Sequence, residues 1–339
     1  MRRASAPLAG TGDDVRLHQS YDLRAGRMEQ VQVTDRHTAE GLVHFTFRAG
    51  DTVMTDAGYP VASAVELTQQ QQWTLLQRTT ASHLHVEEEA GQPISLKERI
   101  KHVPANCLKE LRGWVCLPES GERAQLRVLC YRLPQEQAKR ARERKAAKLR
   151  KKYGPHYNQE LVWWAGWVIL VSTADRAVWS GKDLVRLYRA RWQIELFFKR
   201  LKQCLHLHQV RLKEWQRVSC VVQVCLISWW LHEQEAQWLR ELLLGLLEPR
   251  GEDIAEVVEP EEEEHEQEWV LSSWTLAHVC SEQGRTMLRG AWTRRRIQHC
   301  LPFLRRYLCS RKRPRGHQET EQRAWLLRRE IQRADRLRA

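Results

Sequence analysis

Nine cysteines are scattered singly along this chain, with no Cys-x-x-Cys pair among them. That pattern argues against a zinc site and against a disulfide framework. It fits a reduced cytosol, with Cys220 and Cys225 reading as core residues. No Gly-rich phosphate loop precedes a Lys-Ser or Lys-Thr pair, so use of ATP is not indicated. The Gly-x-Ser-x-Gly pattern of serine esterases is also absent. The opening residues 1–7 hold no apolar stretch of the kind a secretory leader needs. The longest apolar run, near residues 221–231, is too short and interrupted to cross a bilayer. A cytoplasmic protein without a membrane partner is therefore expected. Acidic residues are in deficit: 42 Asp and Glu face 55 Lys and Arg, for a net charge of +13. A basic balance of that size points to a polyanionic partner, most simply nucleic acid. The 15 tryptophans are unusually many for 339 residues, and most are expected in the core.

The patterning predicts an α/β (α+β) chain. Residues 15–23 and 28–34 alternate and read as a hairpin around a 24–27 turn. Residues 38–45 hold one or two helical turns. Residues 51–56 form a short apolar strand ending in Asp56, 57–60 break it, 63–71 read as a helix and 73–77 as a strand. These strands are expected in one mixed sheet. From about 82 to 180 the character changes. Residues 112–117 and 126–131 pair as strands, 135–152 form a basic helix, and 163–172 return to strand. Nine Lys or Arg lie between Lys139 and Lys152, with Glu143 the only acid. Ser180 is a natural N-cap for a long helix over 182–205, with further helices to 247. Residues 251–268 carry ten acids and read as a solvated linker, whereas 285–315 hold eleven Lys or Arg and no acid.

The 182–205 helix carries the most informative stretch. At about 100° per residue, Tyr188, Arg191, Glu195 and Lys202 fall within an arc of about 60°, on a stripe about 21 Å long. Leu187, Ile194, Phe197, Phe198, Leu201 and Leu205 line the flank beside it. From the residues alone, this is either a surface helix with an internal Arg191–Glu195 ion pair or a row of groups handling phosphate and metal.

The Tyr-x-x-Arg-x-x-x-Glu-x-x-x-x-x-x-Lys spacing resembles the Tyr-Arg-Glu-Lys signature of the insertion sequence 4 family of bacterial transposases. The surrounding wording, Tyr-Arg-x-Arg-Trp-x-Ile-Glu-x-x-Phe-Lys-x-x-Lys, is similar too. The resemblance implies a ribonuclease-H-like core interrupted by a strand-rich insertion, with an Asp-Asp-Glu catalytic triad. It makes Glu195 a metal-binding carboxylate and assigns Tyr188, Arg191 and Lys202 to DNA phosphates. Residues 50–59, a short strand running into Asp-x-Gly-Tyr, resemble the family's second-Asp motif and make Asp56 the partner carboxylate. The segment 23–45, with its Thr-Asp-Arg-His-Thr-Ala-Glu-Gly wording, matches as well.

The resemblance covers roughly residues 5–209 and more loosely 311–317. It divides the chain into a first core part over 1–81, a β-rich insertion over 82–180, the Glu helix and its successors over 181–250, the acidic linker over 251–268, and a basic helical region over 269–339. The family's first strand and first Asp have no counterpart, and Asp13 and Asp14 fall too late to replace them. The expectation is thus an N-terminally shortened transposase.

Cleavage and transfer of phosphodiesters call for two divalent metals about 4 Å apart, held by convergent acids. Mg2+, or Mn2+, suits such carboxylates. The implied partner is double-stranded DNA, at transposon ends and at the target, bound by a homodimer in a synaptic complex. Residues 139–152 and 285–315 are the candidate phosphate surfaces. Trp163, Trp164 and Trp167 are candidates for stacking on a flipped base, or for a buried strand. His83, His85 and Glu87 form a weak metal candidate. The rival function is a non-cutting DNA-binding relic.

Overall fold

In the computed structural model the described residues are 6–8, 15–23, 27–35, 37–204, 214–247, 269–271 and 309–311. The expected hairpin forms. Strand β2 (Val15–Asp22) pairs antiparallel with β3 (Arg27–Asp35), placing Leu17 opposite Val33, and β1 (Ala6–Leu8) adds to the start of β2. A single 3-10 turn, Leu42–His44, follows.

The main sheet is five-stranded and mixed, in the order β4-β5-β8-β7-β6. Strand β4 (Thr52–Thr55) runs parallel to β5 (Thr74–Thr79), the two being joined through α1 (Val61–Gln71). β5 then pairs antiparallel with β8 (Trp167–Ser172), β8 with β7 (Arg123–Arg132), and β7 with β6 (Leu108–Cys116). The helices of this region are α2 (Leu96–Ile100), α3 (Gln135–Tyr153) and α4 (Gln159–Trp164). Three helices follow: α5 (Gly181–Arg189), α6 (Trp192–Cys204) and α7 (Trp215–Leu247). Strands β9 (Trp269–Leu271) and β10 (Cys309–Arg311) pair antiparallel.

Successive residues of a strand point to opposite faces, so each main-sheet strand feeds two cores. Met54, Leu76, Leu129 and Leu170 face a core shared with β2, α5, α6 and α7. Their neighbours Val53, Leu75, Val128 and Val171 face a second core with α1 and the 3-10 turn. The sheet is covered on both faces, which explains its nearly continuous apolar strands.

Three expectations need correction. The strands between residues 15 and 77 do not share one sheet: β1–β3 form their own, and the described residues contain no ladder between it and β4. Shared packing in the first core brings the two sheets together. The helix over 182–205 is two helices. Around Ala190 and Arg191 the backbone switches to i→i−3 bonds, from Ala190 N–H to the Leu187 carbonyl (2.9 Å) and from Arg191 N–H to the Tyr188 carbonyl (3.1 Å). That tighter winding ends α5 and re-aims α6. Trp163 and Trp164 lie on α4, where an Asn158 N-cap starts a short helix, and the strand begins only at Trp167. The strands of the 82–180 segment continue the sheet that β4 and β5 begin, with β8 between β5 and β7. The acidic 251–268 segment lies outside the described residues, as do Asp13, Asp14 and all of 285–315 except 309–311.

Candidate active site

Asp56 directly follows β4, whose last residue, Thr55, is fully buried. The chain must reverse there to begin α1. Asp56 Oδ1 accepts the Gly58 N–H at 3.1 Å, closing a tight turn of the kind Asp side chains favour. Tyr59 is buried in the second core, and the Gln77 amide donates to its carbonyl at 2.6 Å. A Cβ added at Gly58 would lie 3.3 Å from Asp56 Oδ1 and 3.3 Å from Glu40 Oε2. Glu40 therefore stands beside the same turn as Asp56. It was not singled out from sequence, although it sits in the Thr-Ala-Glu-Gly wording that carried the resemblance.

The second wall comes from α5 and α6. Ser180 caps α5 as expected, its hydroxyl accepting the Asp183 N–H at 3.2 Å and donating to Asp183 Oδ2 at 2.6 Å. Leu184, Leu187 and Tyr188 turn inward. On α6, Ile194 and Phe197 are buried, with the Phe197 ring centroid 5.5 Å from Tyr21 and 5.8 Å from Trp229. This packing fixes the roll of α6 and leaves Glu195 facing solvent, with 53% of its side chain exposed.

The two walls meet at Tyr188, and Arg191 links the groups of the second wall. The Tyr188 hydroxyl donates to the Thr55 carbonyl at 3.1 Å, tying α5 to the strand end that carries Asp56. The Arg191 guanidinium carbon lies 5.7 Å from the Tyr188 ring centroid, within cation–π range. Arg191 Nη2 also donates to Glu195 Oε1. Burial works against the Arg191 charge. The Tyr188 oxygen, Glu195 and Asp56 more than offset it, so the guanidinium titrates above its ordinary value and stays charged. Arg191 thus lies within the field of both candidate carboxylates. Its Nη1 is buried with no hydrogen-bond partner in the structure.

The structure brings Tyr188, Arg191, Glu195 and Asp56 to one place. Lys202 falls on α6, but its side chain is outside the described residues. His83 and His85 are exposed, and no group of three or more His, Cys, Asp or Glu suited to a metal occurs among the described residues. Asp56 and Glu195 alone are hard oxygen donors that would leave most of a divalent ion's coordination to water and substrate. No helix among the described residues is long and apolar enough to cross a membrane.

The chain is similar to transposases of bacterial insertion sequence elements. It is 28% identical over 224 residues to the transposase of insertion sequence element IS421 of Escherichia coli, covering 62% of this chain and 57% of that protein. It is 23% identical over 249 residues to the transposase of IS231D from Bacillus thuringiensis subsp. finitimus, covering 68% of this chain and 52% of the relative. The chain thus spans just over half the length of these curated relatives. The family model described as "Transposase DDE domain" matches residues 13–231, which include both walls of the site, so the chain belongs to the transposase DDE domain family.

Proposed function

We propose that this chain is a DNA transposase of the insertion sequence 4 type, with a ribonuclease-H-like core, that cuts double-stranded DNA at transposon ends and joins the freed end to target DNA. The observation that carries the reading is the position of Arg191. It bonds Glu195, feels Asp56, and keeps one buried N–H group without an acceptor. A phosphate oxygen is the natural acceptor for such a group, because guanidinium–phosphate hydrogen bonds are charge-assisted.

The DDE domain implies a divalent metal cofactor. Asp56 and Glu195 hold it, and Mg2+ or Mn2+ fits their oxygens. The bound ions would supply an activated oxygen nucleophile and stabilise the leaving oxygen. The protein's own contribution is positioning. Arg191 and Lys202 hold the phosphate beside the carboxylates. Tyr188, whose hydroxyl is committed to Thr55, serves by keeping α5 and the Asp56 turn in register. The reaction is hydrolysis of one phosphodiester, then attack of the freed 3′ hydroxyl on a phosphodiester of the target. A homodimer acting on two ends in the bacterial cytoplasm completes the proposal.

The test is incubation of the protein with duplex DNA from the ends of its own element, in Mg2+ or Mn2+. End-specific nicking that Glu195→Gln and Asp56→Asn each abolish, without loss of DNA binding, supports the proposal. Binding without cleavage by the unaltered chain would instead mark a non-cutting DNA-binding protein.

A further inference from the structure

Helix α3 begins shortly after β7, and its two faces differ sharply. Ala138 and Leu149 are buried. On the same inward side the Arg142 guanidinium lies so close to Gly166 that an added Cβ would be 2.7 Å from Nη2. The outward face presents Arg140, Arg144, Lys148 and Lys151, all exposed. At about 100° and 1.5 Å per residue, these four span an arc of about 80° and a length of about 16 Å. None of the ion pairs among the described residues involves them. Arg140, Arg144 and Lys148 follow one another at i, i+4 spacing, an arrangement of like charges that works against the helix itself. An anionic partner along the face relieves that repulsion.

The sheet topology relates this face to the candidate site. β4 and β5 are parallel, β8 is antiparallel to both, and β7 is antiparallel to β8. β4 and β7 therefore run in the same direction and end at the same margin of the sheet. Asp56 follows β4 there, and α3 follows β7 there. β5 and β8 separate them by three ladder spacings, about 14 Å at ~4.8 Å each. Through Gln77 and Val171, Thr55 lies level with Val128, so β7 runs four residues farther, about 13 Å at ~3.3 Å each, and the two strand ends are roughly 20 Å apart. At about 3.4 Å per base pair, that separation corresponds to roughly six base pairs of duplex between a cut at Asp56 and Glu195 and the root of α3. The row of about 16 Å matches the length of about five base pairs.

We infer that the exposed face of α3 is a rail for the sugar–phosphate backbone of duplex DNA, gripping the flank of the cut site without reading its sequence. The inference rests on the DNA-cutting reading of the Asp56–Glu195 site, but it fails separately from it. Neutralising three contacts removes about 0.9 per phosphate from the slope of log affinity against log salt.

The experiment measures binding of a 30-base-pair duplex by fluorescence anisotropy between 50 and 300 mM NaCl. The rail variant is Arg140→Gln/Arg144→Gln/Lys151→Gln. The control, equal in charge, is Lys109→Gln/Arg112→Gln/Lys182→Gln, also at exposed positions. Far-UV circular dichroism checks that both are folded. The rail variant is expected to lose about two to three units of slope and at least about 30-fold in affinity at 100 mM salt, the control less than about threefold. Trimming the flank to three base pairs should erase the difference between wild type and the rail variant. A rail variant with wild-type slope, or a control that loses as much, overturns the rail while leaving cleavage intact. Failure to bind duplex at any salt overturns both readings.

Discussion

Replacing Tyr188 by Phe isolates the bond that joins the two walls of the site. The ring is only 8% exposed, and its packing against Leu184, Leu187 and Arg191 survives the change. What disappears is the 3.1 Å hydrogen bond to the Thr55 carbonyl. Thr55 is fully buried, so water does not readily replace the lost donor. A buried hydrogen bond that leaves its acceptor short costs about 1–2 kcal/mol. In a chain of 339 residues each kcal/mol moves the melting temperature by roughly 1.4 °C, so a fall of about 1–3 °C is expected. Catalysis should suffer more than stability. The bond sits one residue before Asp56, and displacement of a reacting group by about 1 Å can cost 100-fold. The assays are thermal melting and end cleavage at saturating DNA, with binding measured in parallel. Stability and cleavage both equal to wild type would refute the coupling. A loss of DNA affinity with unchanged melting would show instead that the hydroxyl serves a phosphate.

Four further outcomes follow from the geometry. Gly58→Ala places a methyl 3.3 Å from the oxygens of both Asp56 and Glu40, so cleavage should fall at least about tenfold while unfolding in urea changes by under about 1 kcal/mol. Arg191→Lys keeps a charge but loses the forked donor between Glu195 and the phosphate, and should lower single-turnover cleavage by about 10- to 100-fold. His18 is buried on β2 against the His44 ring, with Thr34 on its Nε2, and burial, His44 and Arg16 lower its pKa from 6.5 to about 4. The unfolded chain therefore takes up this proton first. Stability is complete above pH 6.5 and declines toward pH 4, by at most about 3 kcal/mol and less where solvent screens the ring; His18→Gln should flatten that part of a pH series of urea melts. The Cys130 thiol, buried and pushed up to about 12 by that burial, should resist alkylation under conditions that label the exposed Cys107 and Cys116, as read by mass spectrometry.

Local chemistry was enough to read several elements from sequence. The alternation of residues 15–34 and the turn between them found the hairpin, although β2 proves buried on both faces from Leu17 to Tyr21. The Ser180 cap, the basic helix and the short strand before Asp56 were legible because each is determined by its own residues and near neighbours. The spacing of Tyr188, Arg191 and Glu195 pointed to a common site, although on the mistaken premise of one straight helix.

The tertiary structure alone decided the rest. No local signal in Ala190-Arg191 announces the i→i−3 turn; it exists because Ala190, Ile194 and Phe197 must all be buried against β2 and α7. The same packing turns the Tyr188 hydroxyl to a carbonyl 133 residues away in sequence. It also brings Glu40 beside Asp56 and threads β8 between β5 and β7. Residue type and spacing determined which groups could do the chemistry. Their convergence depended on contacts between distant segments, whose free energy is set by burial and ladder pairing rather than by any pattern within a single element.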